Sequence, residues 1–264
     1  KAGRKVAIEG RSMVEVVNLA KELGYLKFPD NALIDIEELP NYPDRETVLF
    51  LDPFEENLLF LTEGLPVRGD DGSGFRPDLC IGLDVSGPER IGAGIAAFSE
   101  AGQTLVIDHH ETNPGFADRN IVCPDASSTC EVLCGLMDAS RITLEIATSL
   151  YTGIVHDSGV FRYSCTGPET LRAAAELVAK GVPFQRIIEE SLELKAYRVQ
   201  RITSAVLLGS RLYPDVKLLY ADCPAALREA YGVPLTELGS VVTSLNTTRE
   251  AEVVLFMYES EPGV

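Results

Sequence analysis

The sequence is short of positive charge. It has 23 Lys and Arg against 40 Asp and Glu, which gives a formal net charge of −17 over 264 residues. A protein that coats long nucleic acid needs many Lys and Arg contacts to phosphates, so this composition argues against long duplex nucleic acid as a partner. A short RNA or a mononucleotide stays open as a substrate, because a bound metal ion can supply positive charge locally.

Other features are missing as well. The six Cys form no C-x-x-C pair and no spacing typical of a zinc module, which favours buried, reduced cysteines in a cytosolic compartment. No apolar run is long enough to cross a bilayer, and Lys1–Gly10 lacks the apolar core of a signal peptide. We therefore expect a cytoplasmic protein that does not interact with a membrane.

Strand-like and helix-like segments alternate along the chain. Strands are predicted over 5–9, 47–51, 79–84, 104–108 and 120–123, and helices over 12–23, 89–100, from 128, 142–155 and 168–180. This alternation predicts an α/β fold in which helices cover a parallel sheet. A helical pattern over 184–209 predicts a connecting helix. Strand-like runs at 216–221 and 251–258 around a helix at 225–231 predict a second, smaller α/β lobe.

Acidic residues stand where apolar runs end. The runs that begin at Leu79 and Thr104 end at Asp84 and Asp108, and the latter is followed by His109 and His110. We expect these runs to be neighbouring parallel strands whose carboxyl ends open onto one crevice. A third apolar run ends at Asp157. Because carboxylates with some imidazole suit Mn²⁺ or Mg²⁺, the sequence predicts metal-assisted phosphate chemistry.

Several separated motifs occur in one order. The run Asp108-His109-His110, with Asp84 upstream and His156-Asp157-Ser158-Gly159 downstream, resembles the DHH phosphoesterase family. The motifs at 84–90, 126–131 and 151–161 resemble its nano-RNase and pAp phosphatase branch in particular. The resemblance covers about residues 48–264. It implies a DHH domain at 48–183, a connecting helix at 184–209 and a partial DHH-associated substrate lobe at 210–264.

The resemblance also implies roles for individual residues. Asp84, His109 and Asp157 would hold Mn²⁺, of which the family uses two ions, with Mg²⁺ as an alternative. Asp108 would orient His109, and His110 would face the scissile phosphate and donate a hydrogen bond or a proton there.

The activity implied by the resemblance is that of an enzyme. It would hydrolyse very short RNA, as a 3′–5′ oligoribonuclease, or 3′-phosphoadenosine 5′-phosphate (pAp), by attack of a metal-bound hydroxide. A homodimer is a further expectation.

Some residues keep two interpretations. Ser127, Ser128 and Thr129 would bind a phosphate at a helix start or form an ordinary N-cap. Arg90 is either a cation beside the phosphate or a solvated residue that pairs with Glu89 or Glu100. His156 directly precedes Asp157 and would point elsewhere, so we expect a supporting role for it.

The first part of the chain departs from the DHH pattern. The family's first motif, His-x-x-Pro-Asp-x-Asp, is absent after the strand at 5–9, where Gly10-Arg11-Ser12-Met13 follows, and residues 28–35 are only a faint echo of it. Residues 3–48 instead resemble the β-CASP segment of RNase J-type ribonucleases, a similarity that carries over no site residues. We therefore expect a β-CASP-like strand-helix segment at 1–47 in place of the usual start of the DHH domain, as in a fusion or chimera.

Two alternatives to a nuclease stay open, because the first motif is absent and the sequence given ends before the family's Gly-rich substrate loop. One is a non-catalytic, truncated or chimeric DHH scaffold that binds metal or nucleotide weakly, with at most one ion on Asp84, His109 and Asp157. The other is a pyrophosphatase or polyphosphatase of the same superfamily, which the motifs at 126–131 and 151–161 fit less well.

Overall fold

The computed structural model describes residues 5–10, 46–50, 56–61, 67–68, 74–92 and 94–260. The helix predicted over 12–23 and the motif echo at 28–35 lie outside these residues. The chain divides into two compact units, residues 1–192 and 193–264, and each is described by itself.

A parallel sheet with six strands among the described residues forms the centre of the first unit. Its strands are β1 (Lys5–Gly10), β2 (Glu46–Phe50), β3 (Val67–Arg68), β4 (Leu79–Leu83), β5 (Thr104–Asp108) and β6 (Arg119–Val122). They lie in the order β3-β2-β1-β4-β5-β6, and every neighbouring pair is parallel. The predicted α/β class is confirmed.

The adjacent strands β4 and β5 are buried on both faces. Ile81 and Ile107 pack into the larger apolar cluster of this unit, while Cys80 and Val106, one residue earlier, pack into a second cluster. This alternation with a period of two is what a strand covered on both faces requires. The prediction that these two runs are adjacent parallel strands is confirmed.

Five helices of the described part of this unit cover the sheet. They are α1 (Ile95–Glu100), α2 (Thr129–Leu136), α3 (Leu144–Asp157), α4 (Pro168–Ala179) and α5 (Phe184–Ile188), with 3₁₀ turns at Glu56–Leu61, Pro88–Arg90 and Ala139–Arg141. The helix predicted over 89–100 was too long, because a 3₁₀ turn occupies its start and α1 begins only after Gly94, whose backbone φ is 83°. Helix α2 begins where it was predicted, because Ser128 accepts a hydrogen bond from the Glu131 amide as its N-cap.

The second unit contains a three-stranded sheet and three α-helices among its described residues. Its elements are α6 (Tyr197–Gly209), β7 (Arg211–Tyr213), β8 (Leu218–Cys223), α7 (Ala225–Tyr231), α8 (Gly239–Leu245) and β9 (Val253–Tyr258). The sheet order is β7-β8-β9. One cluster that includes Ile202, Leu219 and Val241 forms its core.

The helical pattern predicted over 184–209 is interrupted. Helix α5 continues as one π-helical turn at Glu189–Glu193, and α6 begins only at Tyr197. The Asn57 side-chain amide donates to the Ser191 carbonyl over 2.6 Å, so a side chain from far away in the chain takes an acceptor that a continuing helix would use. The predicted boundaries at 47, 183 and 209 stay predictions.

None of the helices in the described residues is long and apolar enough to span a membrane.

Candidate metal centre

Asp84 stands directly after β4 and turns the chain at the edge of the sheet. Its backbone φ is 60°, a left-handed conformation that Asp tolerates better than most residues. The Asp84 amide donates to the Ile107 carbonyl on β5 over 3.1 Å. The Thr129 hydroxyl donates to Asp84 Oδ1 over 2.9 Å. The carboxylate is therefore held from its backbone and from the start of α2.

His109 is held in one orientation by a backbone carbonyl. Its Nδ1 lies 3.2 Å from the Ala126 oxygen, and a carbonyl only accepts, so this nitrogen carries a proton. The other ring nitrogen, Nε2, lies 3.5 Å from Asp84 Oδ1 and 3.7 Å from Asp157 Oδ2. The two carboxylates and the imidazole predicted to share an ion thus meet at one place.

Asp108 is the last residue of β5 and is fully buried. Both of its oxygens have partners: Oδ1 lies 2.7 Å from His110 Nδ1, and Oδ2 accepts from the Asn113 amide over 2.7 Å. The prediction that Asp108 orients His109 is therefore wrong, because Asp108 orients His110. Side chains two residues apart along an extended chain point the same way, whereas adjacent ones do not.

Asn113 was not predicted as part of the site. Its side-chain amide group donates to Asp108 Oδ2 and to the Val85 carbonyl over 2.9 Å, and its oxygen accepts from the Gly115 amide. It thereby joins the ends of β4 and β5 beside the candidate ligands. The only signal in the sequence is an Asn three residues after the double His, and no periodicity points to it.

Asp157 closes α3 on the other side of the cluster. Its side chain is 32% exposed, yet its Oδ2 is buried and has no hydrogen-bond partner among the residues that the structure describes. Burial first, and then the nearby charge of Asp84, raise the pKa of Asp157 to about 7. A buried carboxylate oxygen without a donor is stabilised by a cation, so this position fits a metal ion.

A left-handed turn follows α3 directly. Gly159, Val160 and Phe161 have φ values of 56°, 57° and 61°. The Phe161 amide donates to the Ser158 hydroxyl oxygen over 3.0 Å, and the Val160 amide donates to the Val155 carbonyl over 2.8 Å. Val160 and Phe161 also pack against the larger apolar cluster.

His156 turns away from this cluster, as its position in α3 predicts. The Ser191 hydroxyl donates to the Ile187 carbonyl over 2.6 Å, so its oxygen accepts from His156 Nε2, 3.0 Å away. The ring thus ties the last turn of α3 to the π-helical turn that follows α5.

The residues predicted to bind phosphate make hydrogen bonds within the protein or are exposed. Ser127, Ser128 and Thr129 are buried. The Ser127 and Thr129 hydroxyls donate to Glu131 and Asp84, and Ser128 is an N-cap, which favours the alternative that these residues build a helix start. Arg90 is exposed in its 3₁₀ turn, and Glu100, one of its two suggested partners, pairs with Arg76.

The donor atoms fit a single divalent cation. One ligand atom from each of Asp84, His109 and His110 lies within 4.8 Å of the other two, and Asp157 Oδ2 lies 3.7 Å from His109 Nε2. Carboxylate and imidazole ligands of this kind bind Mn²⁺, Mg²⁺ and related ions. The sequence reasoning did not include His110 among the ligands.

The chain is similar to two kinds of known protein. The family described as "Ribonuclease J, beta-CASP domain" matches residues 1–52, and Ribonuclease J of Thermus thermophilus is 49% identical over 77 residues, 29% of this chain and 13% of that protein. The bifunctional oligoribonuclease and PAP phosphatase NrnA of Thermus thermophilus is 38% identical over 112 residues, 41% of this chain and 33% of that protein.

The resemblance to the DHH phosphoesterases is confirmed. So is the resemblance of the first segment to the RNase J β-CASP domain. The crystal structure of an exopolyphosphatase-related protein from Bacteroides fragilis superposes with a TM-score of 0.74 over 94% of this chain and 73% of that one. At 17% identity it shows the fold alone. The chain spans one third of the length of the NrnA that it matches.

Proposed function

We propose that this chain binds one divalent cation, Mn²⁺ or Mg²⁺, at the edge of its parallel sheet and hydrolyses phosphate esters of very short RNA or of pAp. The observation that carries the proposal is the buried Oδ2 of Asp157, which has no donor among the described residues and lies beside His109 Nε2. The similarity to NrnA, whose name includes both activities, supports the substrate class.

The chain's own residues have distinct roles in this proposal. Asp84, His109 and Asp157 would hold the cation, with His110 at the same cluster. Asp108 lies 2.7 Å from His110 Nδ1 and accepts its proton, so Nε2 is the atom that would face the phosphate. Nε2 would give a proton to the leaving oxygen from the doubly protonated form of the ring, whose positive charge Asp108 offsets. When bound, the cation would activate a water for attack and offset the charge of the phosphoryl oxygens.

A specific observation favours a second candidate, the non-catalytic scaffold. The only group of metal-ligating side chains found in the described part of the chain offers atoms for one ion, whereas the DHH resemblance implies two. In this second candidate, the chain would bind a nucleotide phosphate through the single ion without turnover, because the clamp of two ions on the attacking and leaving oxygens would be incomplete.

Product release from four substrates tests the proposal. We expect the chain with Mn²⁺ to release adenosine 5′-phosphate from pAp and mononucleotides from a diribonucleotide. Release of phosphate from pyrophosphate and polyphosphate tests the alternative, a pyrophosphatase or polyphosphatase. Asp84→Ala should abolish turnover, while Asp222→Ala, which removes an exposed carboxylate from β8, should leave it unchanged. Equal rates for the wild type and Asp84→Ala would reject the enzyme and leave the scaffold.

Metal counting tests the single site on which both candidates rest. Elemental analysis after dialysis against Mn²⁺ should give about one ion per chain, and two tightly held ions would contradict the non-catalytic scaffold. Mn²⁺ dependence itself, a cytoplasmic location and a homodimer stay predictions.

A further inference from the structure

Glu131 is the centre of a partly buried hydrogen-bond group that the proposed chemistry does not use. Its Oε2 accepts from the Ser127 amide over 2.9 Å, from the Ser127 hydroxyl over 2.7 Å and from the Thr170 hydroxyl over 2.8 Å. Three donors on one oxygen are the pattern of an ionised carboxylate in a fixed position. The group joins the loop before α2 to the first turn of α4.

The arrangement differs from the usual capping box. In that motif the acidic residue at the third helical position reaches back to the amide of the N-cap residue. Here Ser128 is the N-cap, and Glu131 reaches one residue further back, to Ser127. The carboxylate therefore fixes the loop before the helix and not the helix start itself.

That loop supports two of the candidate metal ligands. The carbonyl of Ala126, directly before Ser127, accepts from His109 Nδ1. The hydroxyl of Thr129, two residues after Ser127, donates to Asp84 Oδ1. A shift of this loop by a few tenths of an ångström would lengthen both bonds. His109 would then lose the acceptor that keeps its proton on Nδ1 and leaves Nε2 free for an ion.

Thr170 fixes the other end of the group. Its hydroxyl oxygen accepts from the Gly167 amide over 3.0 Å, so its single proton is directed at Glu131. Thr170 is buried, and its donor cannot turn to water. The position of the Glu131 carboxylate is thus set by α4, an element that carries none of the candidate ligands.

We infer that Glu131 is a positioning residue for the metal centre: it holds residues 126–129 so that Ala126 sets the tautomer of His109 and Thr129 orients Asp84. The inference deepens the proposed function and rests on it for the identity of the ion. The tautomer part concerns the metal-free protein and stands independently of the ion.

Two variants and a control test this role in the full chain. Glu131→Ala removes all three acceptor contacts, whereas Glu131→Gln keeps one oxygen that can accept the same donors. Glu169→Ala removes an exposed carboxylate that pairs with Arg172 beside Thr170. Mn²⁺ affinity is measured by electron paramagnetic resonance. The His109 tautomer is measured by ¹⁵N NMR of the metal-free protein at pH 8.

We expect Glu131→Ala to weaken Mn²⁺ binding about 10- to 100-fold, the usual range for residues that orient a ligand. The same variant should give His109 a mixture of tautomers in place of one protonated at Nδ1. Glu131→Gln should recover most of the affinity and the single tautomer, and Glu169→Ala should match the wild type. Circular dichroism confirms that each variant is folded.

Each outcome decides a separate point. Wild-type affinity and an unchanged tautomer in Glu131→Ala would overturn the inference. If Glu131→Ala does not fold, Glu131→Gln is compared with Thr170→Val, which removes one donor to Glu131. A wild-type His109 tautomer in Thr170→Val would then overturn the inference. If the wild type binds no Mn²⁺, the proposed metal centre fails, and the inference is judged on the tautomer of His109 alone.

Discussion

The candidate site has two sides that are built differently. The strand side consists of Asp84, Asp108, His109 and His110 at the ends of β4 and β5, and each of these side chains has a hydrogen-bond partner within the protein. The helix side consists of Asp157 at the end of α3, whose Oδ2 is buried without a partner in the described structure.

This difference shows which side chains of the site the folded protein already holds in place and which one still lacks a partner. The strand side is preorganised, because loops and helix starts already fix its side chains. The helix side brings a second carboxylate close to Asp84 without a donor to offset it, and the pKa of Asp157 rises to about 7. We therefore expect substitutions on the strand side to lower the free energy of unfolding. Neutralising Asp157 on the helix side should raise it in the metal-free protein.

The largest effect is expected for Asn113→Ala on the strand side. This change leaves the fully buried Asp108 without the donor at Oδ2 and also removes the donor to Val85. A buried acceptor without its partner costs about 1 to 3 kcal/mol, and a charged one costs more, so we expect the free energy of unfolding to fall by about 3 kcal/mol.

Urea unfolding of the metal-free protein measures this loss. The matched control is Asn120→Ala, whose amide makes two exposed bonds to Ala117 and should cost less than about 1 kcal/mol. Equal losses in the two variants would remove the distinction between the strand side and an ordinary surface loop.

The second prediction concerns Asp157→Asn and pH. Because the pKa of Asp157 is about 7 in the folded protein, above its ordinary 3.8, the folded state binds the proton more tightly than the unfolded chain. Stability therefore falls as pH rises from about 4 to 7, and the loss is complete above pH 7. Asn carries no charge, so the metal-free variant should be more stable than the wild type at pH 8 by roughly 1 to 2 kcal/mol, after allowance for solvent screening.

Urea unfolding at pH 4 and pH 8 checks the sign. The advantage of Asp157→Asn should vanish at pH 4, and Asp222→Asn, on the exposed part of β8, should give no such pH dependence. A variant that is less stable than the wild type at pH 8 would mean that the carboxylate already has a stabilising partner.

The smallest effect is expected for Cys165→Ala beside the helix side. The exposed Cys165 thiol lies 4.0 Å from the Asp157 carbonyl, and a thiol is a weak donor. Removing it should change the free energy of unfolding by less than about 0.5 kcal/mol. Thermal unfolding with and without Mn²⁺ measures the effect, and a large loss would show that side-chain contacts and not the backbone hold the end of α3.

The sequence predicted the fold well where the periodicity was simple. Continuous apolar runs gave β4 and β5, and Ser128 marked the start of α2. The break after α5 could not be predicted, because it depends on Asn57 reaching Ser191 across the fold. A hydrogen bond between residues so far apart in the chain leaves no local pattern.

The site was predicted in its composition but not in its connections. Asp84, His109 and Asp157 do lie together, and their functional roles stay predictions. The partner of Asp108 was wrong, and Asn113 was missed. The partner of Asp108 follows from the alternation of side chains along an extended chain, which pairs residue 108 with 110 and not with 109. The partners of Asn113 depend on the turn after β5, whose backbone angles residue types do not specify.

The left-handed turn after α3 makes the stereochemistry of residue 160 matter for stability. Three successive residues, Gly159, Val160 and Phe161, have φ values near +60°, in the left-handed region that costs L-residues other than glycine about 1 to 2 kcal/mol each. Glycine at 160 would relieve the strain but lose the apolar packing of the valine. Only inverted stereochemistry would keep both, so a semisynthetic chain with D-valine at this position should follow the same backbone path at lower conformational energy.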